Sequence, residues 1–148
     1  MRSENYPPLS VFAEATTTNG SRIIPFKRGA FAGMRTVTPC HFTSSNTMIS
    51  PAYELIDMIQ LQILLFSALS FRVTTLTIMP EFTPNAYMLE NFADKDRGGP
   101  WSIYAWCVRD AICKNSGILP LDEKLSLKDK LAFVSLMNAY SDRAEING

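Results

Sequence analysis

The stretch LSVFAEATTTNGSRIIPFKRGAF, Leu9 to Phe31, constrains this chain most. It opens with a short apolar run, Leu9-Ser10-Val11-Phe12, of the kind that a strand buried on both faces shows. A first strand is therefore expected over Leu9 to Ala13. The run ends at one carboxylate, Glu14. A hydroxyl-rich turn follows, Thr16-Thr17-Thr18-Asn19-Gly20, closed by Asn-Gly, a strong turn signal. Pro25 to Phe31 then sets two cations, Lys27 and Arg28, between two aromatic residues, Phe26 and Phe31. In open α/β folds, binding residues gather where a strand's carboxyl end runs into such a loop.

The rest of the chain reads as α/β. Met1 to Pro8 is a polar lead-in, and Pro7-Pro8 excludes a helix there. A doubly wound sheet needs strands and crossover helices before its ligand loop, so the chain is expected to begin mid-domain. A second strand is expected over Thr36 to Phe42, followed by a polar loop over Thr43 to Ser50. Pro51 to Phe71 reads as a long helix with Pro at its opening. Asp57, Gln60 and Ser67 give it a narrow polar stripe. Its uninterrupted apolar part, Ile63 to Leu69, is far below the roughly 20 residues that span a bilayer. It suits a crossover helix packed on the sheet, or a helix lying in a membrane interface.

Arg72 to Met79 is β-branched and alternating, a third strand. Pro84-Asn85 marks a turn, and Glu90 to Pro100 a charged loop. Trp101 to Asn115 is a helix ended by Gly117. Ser126-Leu127-Lys128-Asp129 approximates a capping box and opens a last helix with Leu127, Leu131, Val134 and Met137 on one face. The expected division is residues 1–120 as one unit and 121–148 as a helical tail.

Charge and cysteine usage exclude some classes. Lys plus Arg equals Asp plus Glu, at 14 each, so the basic excess of a nucleic-acid binder is missing. With an apolar fraction of 47% and a charged fraction of 19%, the chain is suited to a packed core. Cys40, Cys107 and Cys113 form no CxxC pair, which points to reduced thiols in a cytosol-facing protein. Cys107 and Cys113 lie six apart on one helix and point to different faces, so they do not chelate one metal together.

The two halves of the opening stretch resemble the third conserved block of the glycerophospholipid acyltransferases. In that family Phe-Pro-Glu-Gly-Thr is followed by a polar turn and then by Phe-Lys-x-Gly-Ala-Phe. Here the parts read Phe12-Ala13-Glu14-Ala15-Thr16 and Phe26-Lys27-Arg28-Gly29-Ala30-Phe31. The Thr-Thr-Asn-Gly turn and the Glu-to-Lys spacing most resemble the lysophosphatidylcholine and lysophosphatidylethanolamine branch. The likeness runs on to about Leu127. It implies a partial glycerolipid acyltransferase fold, a mixed sheet with flanking helices. It also implies an acyl-CoA-dependent transfer to a lysophospholipid at a membrane surface, on the cytosolic side of the endoplasmic reticulum, with no cofactor beyond the acyl-CoA co-substrate.

By the same resemblance Glu14, Thr16, Thr17 and Asn19 stand in the glycerophosphate-binding block. Glu14 would hold a glycerol hydroxyl or fix a neighbouring Arg; capping of local backbone amides is the other reading. Lys27 and Arg28 are suited to a phosphate, or are solvated loop cations. Ala15 replaces the family's Gly and would resist a positive φ or a close ligand approach. Phe26 and Phe31 are expected to pack as core, as are Trp101, Tyr104 and Trp106, which could instead form an interfacial belt.

Acyl transfer to a hydroxyl needs a base. The family's His, with an Asp four residues later, lies upstream of the acid block. The one His here, His41, lies downstream with Ser45 at that spacing, so no catalytic residue is assigned in this chain. The full domain is expected to be an enzyme and this chain alone inactive. The alternative is a non-catalytic remnant that binds lipid or protein.

Overall fold

Helix α3, Pro100–Ser116, is the centre of the fold. Its start is written in Asp96 to Pro100. Pro100 has the fixed φ that suits a first helical residue. Gly98 and Gly99 carry φ of 140° and 122°, where side chains are rare. The Asp96 carboxylate accepts from both glycine amides, at 3.0 and 2.6 Å, and closes the loop. Gly117, at φ 73°, ends the helix. Between these signals nine side chains of α3 are buried, on more than one face. A helix buried on more than one face serves as the centre of a core.

The computed structural model describes residues 9–16, 18, 20–44, 58–67, 73–122, 124, 125 and 127–146. The elements are β1 (Arg22–Ile23), β2 (Cys40–Ser44), α1 (Met58–Ser67), β3 (Thr74–Ile78), α2 (Ala86–Asn91), α3, β4 (Leu119–Pro120) and α4 (Leu127–Ile146), with 3-10 turns at Arg28–Ala30 and Ala93–Lys95. The chain is thus a small mixed α/β fold. None of its described helices is long and apolar enough to cross a membrane.

The described strands form two two-stranded sheets rather than one mixed sheet. β1 and β4 pair in parallel, Arg22 with Leu119 and Ile23 with Pro120. β2 and β3 pair antiparallel, from Cys40–Ile78 to Ser44–Thr74. The physical reason is the central place of α3: its side chains supply the buried surface, and the sheets pack around it as short ribbons.

Tyr104 is fully buried. Its hydroxyl proton is shared between the carbonyls of Arg35, at 2.9 Å, and Phe82, at 2.7 Å. Its ring meets Phe31 edge-on at 5.3 Å, and Phe31 stacks on Phe26 at 5.9 Å. Phe31 and Tyr104 are core, as the sequence suggested, while Phe26, Trp101 and Trp106 are half-buried against it.

Two strand expectations are corrected. Leu9 to Ala13 is not a strand: Leu9 and Phe12 are 87% and 82% exposed. Phe12 instead offers its carbonyl to Ala15 N across a turn, at 3.1 Å. A short apolar run has a strand's composition, but it becomes one only with a ladder partner. The second strand runs Cys40–Ser44, later than expected. Pro39 has no amide to donate, so only an isolated bridge, Val37 to Phe82, precedes it. The helix expected over Pro51 to Phe71 is seen as Met58–Ser67; residues 51–57 and 68–71 lie outside the described set, as do Thr17, Asn19 and the capping residue Ser126.

The β2–β3 ribbon has an inverted face pattern. Alternation along the strands puts Cys40, Phe42, Leu76 and Ile78 on one side, and all four are exposed. His41, Thr43, Thr75 and Thr77 share the other side. From there His41 Nε2 reaches Asn115 Oδ1 of α3 at 3.0 Å.

Candidate functional site

The turn over residues 13–16 is closed from outside. Lys27 N donates to Ala13 O at 2.8 Å, which ties the acid segment to the basic loop. Ala15 sits at φ 56°. That is the left-handed region, which costs an L-residue with a Cβ roughly 1–2 kcal/mol. Glu14 turns inward, and Ile24 N donates to its Oε2 at 3.2 Å.

Burial raises the Glu14 pKa above the ordinary carboxylate range; the Ile24 amide, Arg109 and Lys130 pull it back down. The cations acting on this carboxylate come from α3 and α4, and Lys27 is not among them. Thr16, two residues on, accepts from Lys130 Nζ at 2.6 Å. Lys27 is half-buried and Arg28 exposed where the 3-10 turn begins. The structure therefore joins Glu14 and Thr16 to Lys130 and Arg109, while Lys27 is tied to this turn through its backbone amide. Thr17 and Asn19 lie outside the described residues.

A cavity of about 190 Å³ opens beside Phe26. Phe26, Trp101 and Trp106 give it apolar walls, and Lys95, Arg97 and Arg109 give it positive charge. Helical spacing aligns Trp101, Ala105 and Arg109 along one side of α3. Arg109 is only 5% exposed and connects the two sites: it lines the cavity and acts on Glu14. The Lys95 ammonium lies 5.3 Å from the Trp106 ring centre, within cation–π range, and 2.6 Å from the Asp94 carboxylate. Such a cavity suits an amphiphilic anion, with its apolar part on the rings and its charge on the cations.

Two of the three cysteines are held as thiols. Burial pushes the Cys107 thiol up to about 11, with Asp110 adding to it. Burial also raises Cys113, against Arg109. Both are thiols at neutral pH, and the thiolate is the nucleophile. Asn115 Oδ1 accepts from His41, so Nε2 carries the proton, and Nδ1 is buried with no hydrogen-bond partner among the described residues. A nitrogen held that way does not meet a substrate hydroxyl.

The sequence singles out Glu14, Thr16, Thr17, Asn19, Lys27 and Arg28 as site candidates and Phe26 as a core residue; of these Glu14 faces Arg109 and Lys130, Thr16 accepts from Lys130, and Phe26 lines the cavity. Sequence reasoning missed Lys95, Arg97, Arg109 and Lys130. The available signal is Arg109, which with Asp110 interrupts the otherwise mainly apolar stretch from Ile103 to Ile112. No protein-family model, curated protein or solved structure matches this chain.

Proposed function

We propose that this chain is the substrate-holding part of a glycerophospholipid-acyltransferase-type domain, and that alone it binds a lysophospholipid without acylating it. The observation that carries the reading is Ala15. It holds a φ of 56° at the position where the family motif has Gly, and the same turn is tied to Phe26-Lys27 through the Ala13 carbonyl. The left-handed backbone is present although the residue that favours it is not.

In this reading Glu14 fixes Arg109 by charge, one of the two roles open to it. The phosphate meets Arg109, Arg97 and Lys95, and the acyl chain lies on Trp101, Trp106 and Phe26. Within a full domain the reaction is acyl-CoA plus lysophospholipid giving phospholipid plus coenzyme A. The setting is a membrane surface on the cytosolic side of the endoplasmic reticulum, and nucleic acid is not a partner. A positioned base contributes a factor of roughly 10²–10⁴, and His41 is bound elsewhere.

Both tryptophans of the chain line the cavity, so their fluorescence reports its occupancy. Lysophosphatidic acid, added below its micellar concentration, is expected to change the emission saturably. Monoacylglycerol, which lacks the phosphate, is expected not to, and Arg97→Ala is expected to weaken the response. With acyl-CoA and lysophospholipids together, thiol release is expected to stay at background. Equal responses to monoacylglycerol and lysophosphatidic acid would remove the phosphate site. Thiol release that survives His41→Ala would remove the non-catalytic reading.

A further inference from the structure

The loop before α3 sets an acid between two cations, Lys95-Asp96-Arg97. Both cations line the cavity beside Phe26, whereas the Asp96 carboxylate is engaged within the loop itself. Its Oδ1 accepts from Gly98 N at 3.0 Å, from Gly99 N at 2.6 Å and from Ser102 Oγ at 3.3 Å. The two glycine amides hold the Asp96 carboxyl below its usual range, so it is ionised at neutral pH. An N-cap side chain bonds amides of the helix's first turn. Asp96 instead bonds the amides of Gly98 and Gly99, which precede Pro100.

These bonds set what faces the cavity. Gly98 O accepts from Trp101 Nε1 at 2.9 Å, and a Cβ at Gly99 would stand 3.4 Å from Trp101 Cδ1. The indole thus lies against the glycine backbone that Asp96 holds. Ser102 is buried, and its Oγ accepts from Arg97 N at 2.9 Å. The Ser102 hydroxyl proton is shared between Gly99 O, at 2.7 Å, and Asp96 Oδ1. The Arg97 backbone and the Trp101 ring are therefore both fixed through groups that meet at Asp96.

We propose that Asp96 is the positioning residue of the cavity: its carboxylate holds the loop in the shape that presents Arg97 and Trp101 to an anionic ligand. Asp96 acts through these two residues and not by contact with the ligand. The inference rests on the reading of the cavity as an anion site, and not on which anion fills it. What matters is the acceptor rather than the charge. One oxygen makes all three bonds, and an amide oxygen can make them too. Removing the charge while keeping that oxygen leaves the loop in place and the cavity more positive.

The test quenches the fluorescence of the full chain with iodide, an anion, and with neutral acrylamide, at constant ionic strength. The ratio of the two quenching constants reads the positive charge held around Trp101 and Trp106, the chain's two tryptophans. Asp96→Ala is expected to lower this ratio by about twofold, to the value of Arg97→Ala. The double variant is expected to fall no further. Asp96→Asn is expected to keep the wild-type ratio or raise it. Lysophosphatidic acid is expected to bind Asp96→Ala about tenfold more weakly, the loss of one charge-assisted hydrogen bond, and Asp96→Asn at least as tightly as wild type. Should Asp96→Ala fail to fold, Ser102→Ala, which removes the acceptor for Arg97 N, is read in its place, with the same fall expected. A ratio that rises alike in Asp96→Ala and Asp96→Asn would overturn the proposal, because charge is then lost without geometry. So would a ratio unmoved by Asp96→Ala or by Arg97→Ala, an equal fall in Asp96→Asn, or additive falls in the double variant. If the iodide pattern holds and lysophosphatidic acid does not bind wild type, the lysophospholipid reading fails and the positioning role stands.

Discussion

Helices α3 and α4 differ in a way that their lengths conceal. α4 is the longer, at 20 residues against 17, yet none of its described side chains is buried. Leu131, Phe133, Leu136 and Met137 stand 42–70% exposed. α3 buries nine side chains, including a tyrosine and an arginine. Helix propensity and length do not decide which helix forms the core. Partner surfaces do, and α3 has them on more than one side: Phe31, Phe82 and the two small sheets. α4 meets the body at its first turns, where Lys130 reaches Thr16.

The largest effect expected from this contrast is at Tyr104. Tyr104→Ala removes the most buried ring among the described residues, and large aromatic-to-alanine changes in a core cost about 3–5 kcal/mol. That is a large share of a small domain's stability, so urea denaturation is expected to show partial or complete unfolding. Tyr104→Phe isolates the polar part. It leaves the Arg35 and Phe82 carbonyls without their shared donor, at about 1–3 kcal/mol. Equal losses for the two variants would mean that the hydroxyl, not the ring, holds α3 in place.

How much of this was legible in the sequence follows the same division. α3 was expected over Trp101 to Asn115 and is found as Pro100–Ser116, because Gly98-Gly99-Pro100 and Gly117 are local signals with local causes. β3 was equally readable from its alternation, expected over Arg72 to Met79 and found as Thr74–Ile78. α2 was read as a turn: Asn85 is its N-cap, accepting from Met88 N at 2.8 Å, and an asparagine after proline signals either structure. Leu9 to Ala13 failed because strand identity depends on a partner elsewhere in the chain. The site divides likewise. Glu14 and Thr16 stand together in one stretch, whereas Arg109, Lys95 and Lys130 reach it from three separate elements that no spacing rule connects.

A middle-sized effect is expected in the turn that receives α4. Ala15→Gly relieves the left-handed conformation, worth roughly 1–2 kcal/mol. The glycine's extra freedom in the unfolded chain takes back about 0.5–1 kcal/mol. A net gain of up to about 1.5 kcal/mol is expected, seen as a raised urea midpoint at unchanged slope. A loss would mean that the Ala15 methyl packs usefully, and that the turn is held by contact rather than tolerated despite strain.

Glu14 lies between the two helices, facing Arg109 of one and Lys130 of the other. Its pKa is raised in the fold, chiefly by burial. The folded protein then holds this proton more tightly than the unfolded chain does. Stability therefore falls as pH rises from the ordinary carboxylate value to the raised one, and the penalty persists at neutral pH. Glu14→Gln keeps an acceptor for Ile24 N and removes the titration. Measured against wild type, the variant is expected to gain stability as pH rises from acidic to neutral. The opposite slope would show that the two cations outweigh desolvation and that Glu14 clamps α3 to α4 by charge.

The smallest effect is expected at Leu136, 70% exposed on α4. Truncating a core leucine costs about 2–5 kcal/mol through lost transfer energy and a cavity. Neither applies here, because the side chain already stands in water. Alanine is also the better helix former, by a few tenths of a kcal/mol. Leu136→Ala is therefore expected to change unfolding free energy by less than about 0.5 kcal/mol. The comparison must be made at more than one protein concentration. A loss near 2 kcal/mol that is the same at every concentration would mean that α4 is covered within one chain. A loss that grows with protein concentration would mean that α4 lies between copies.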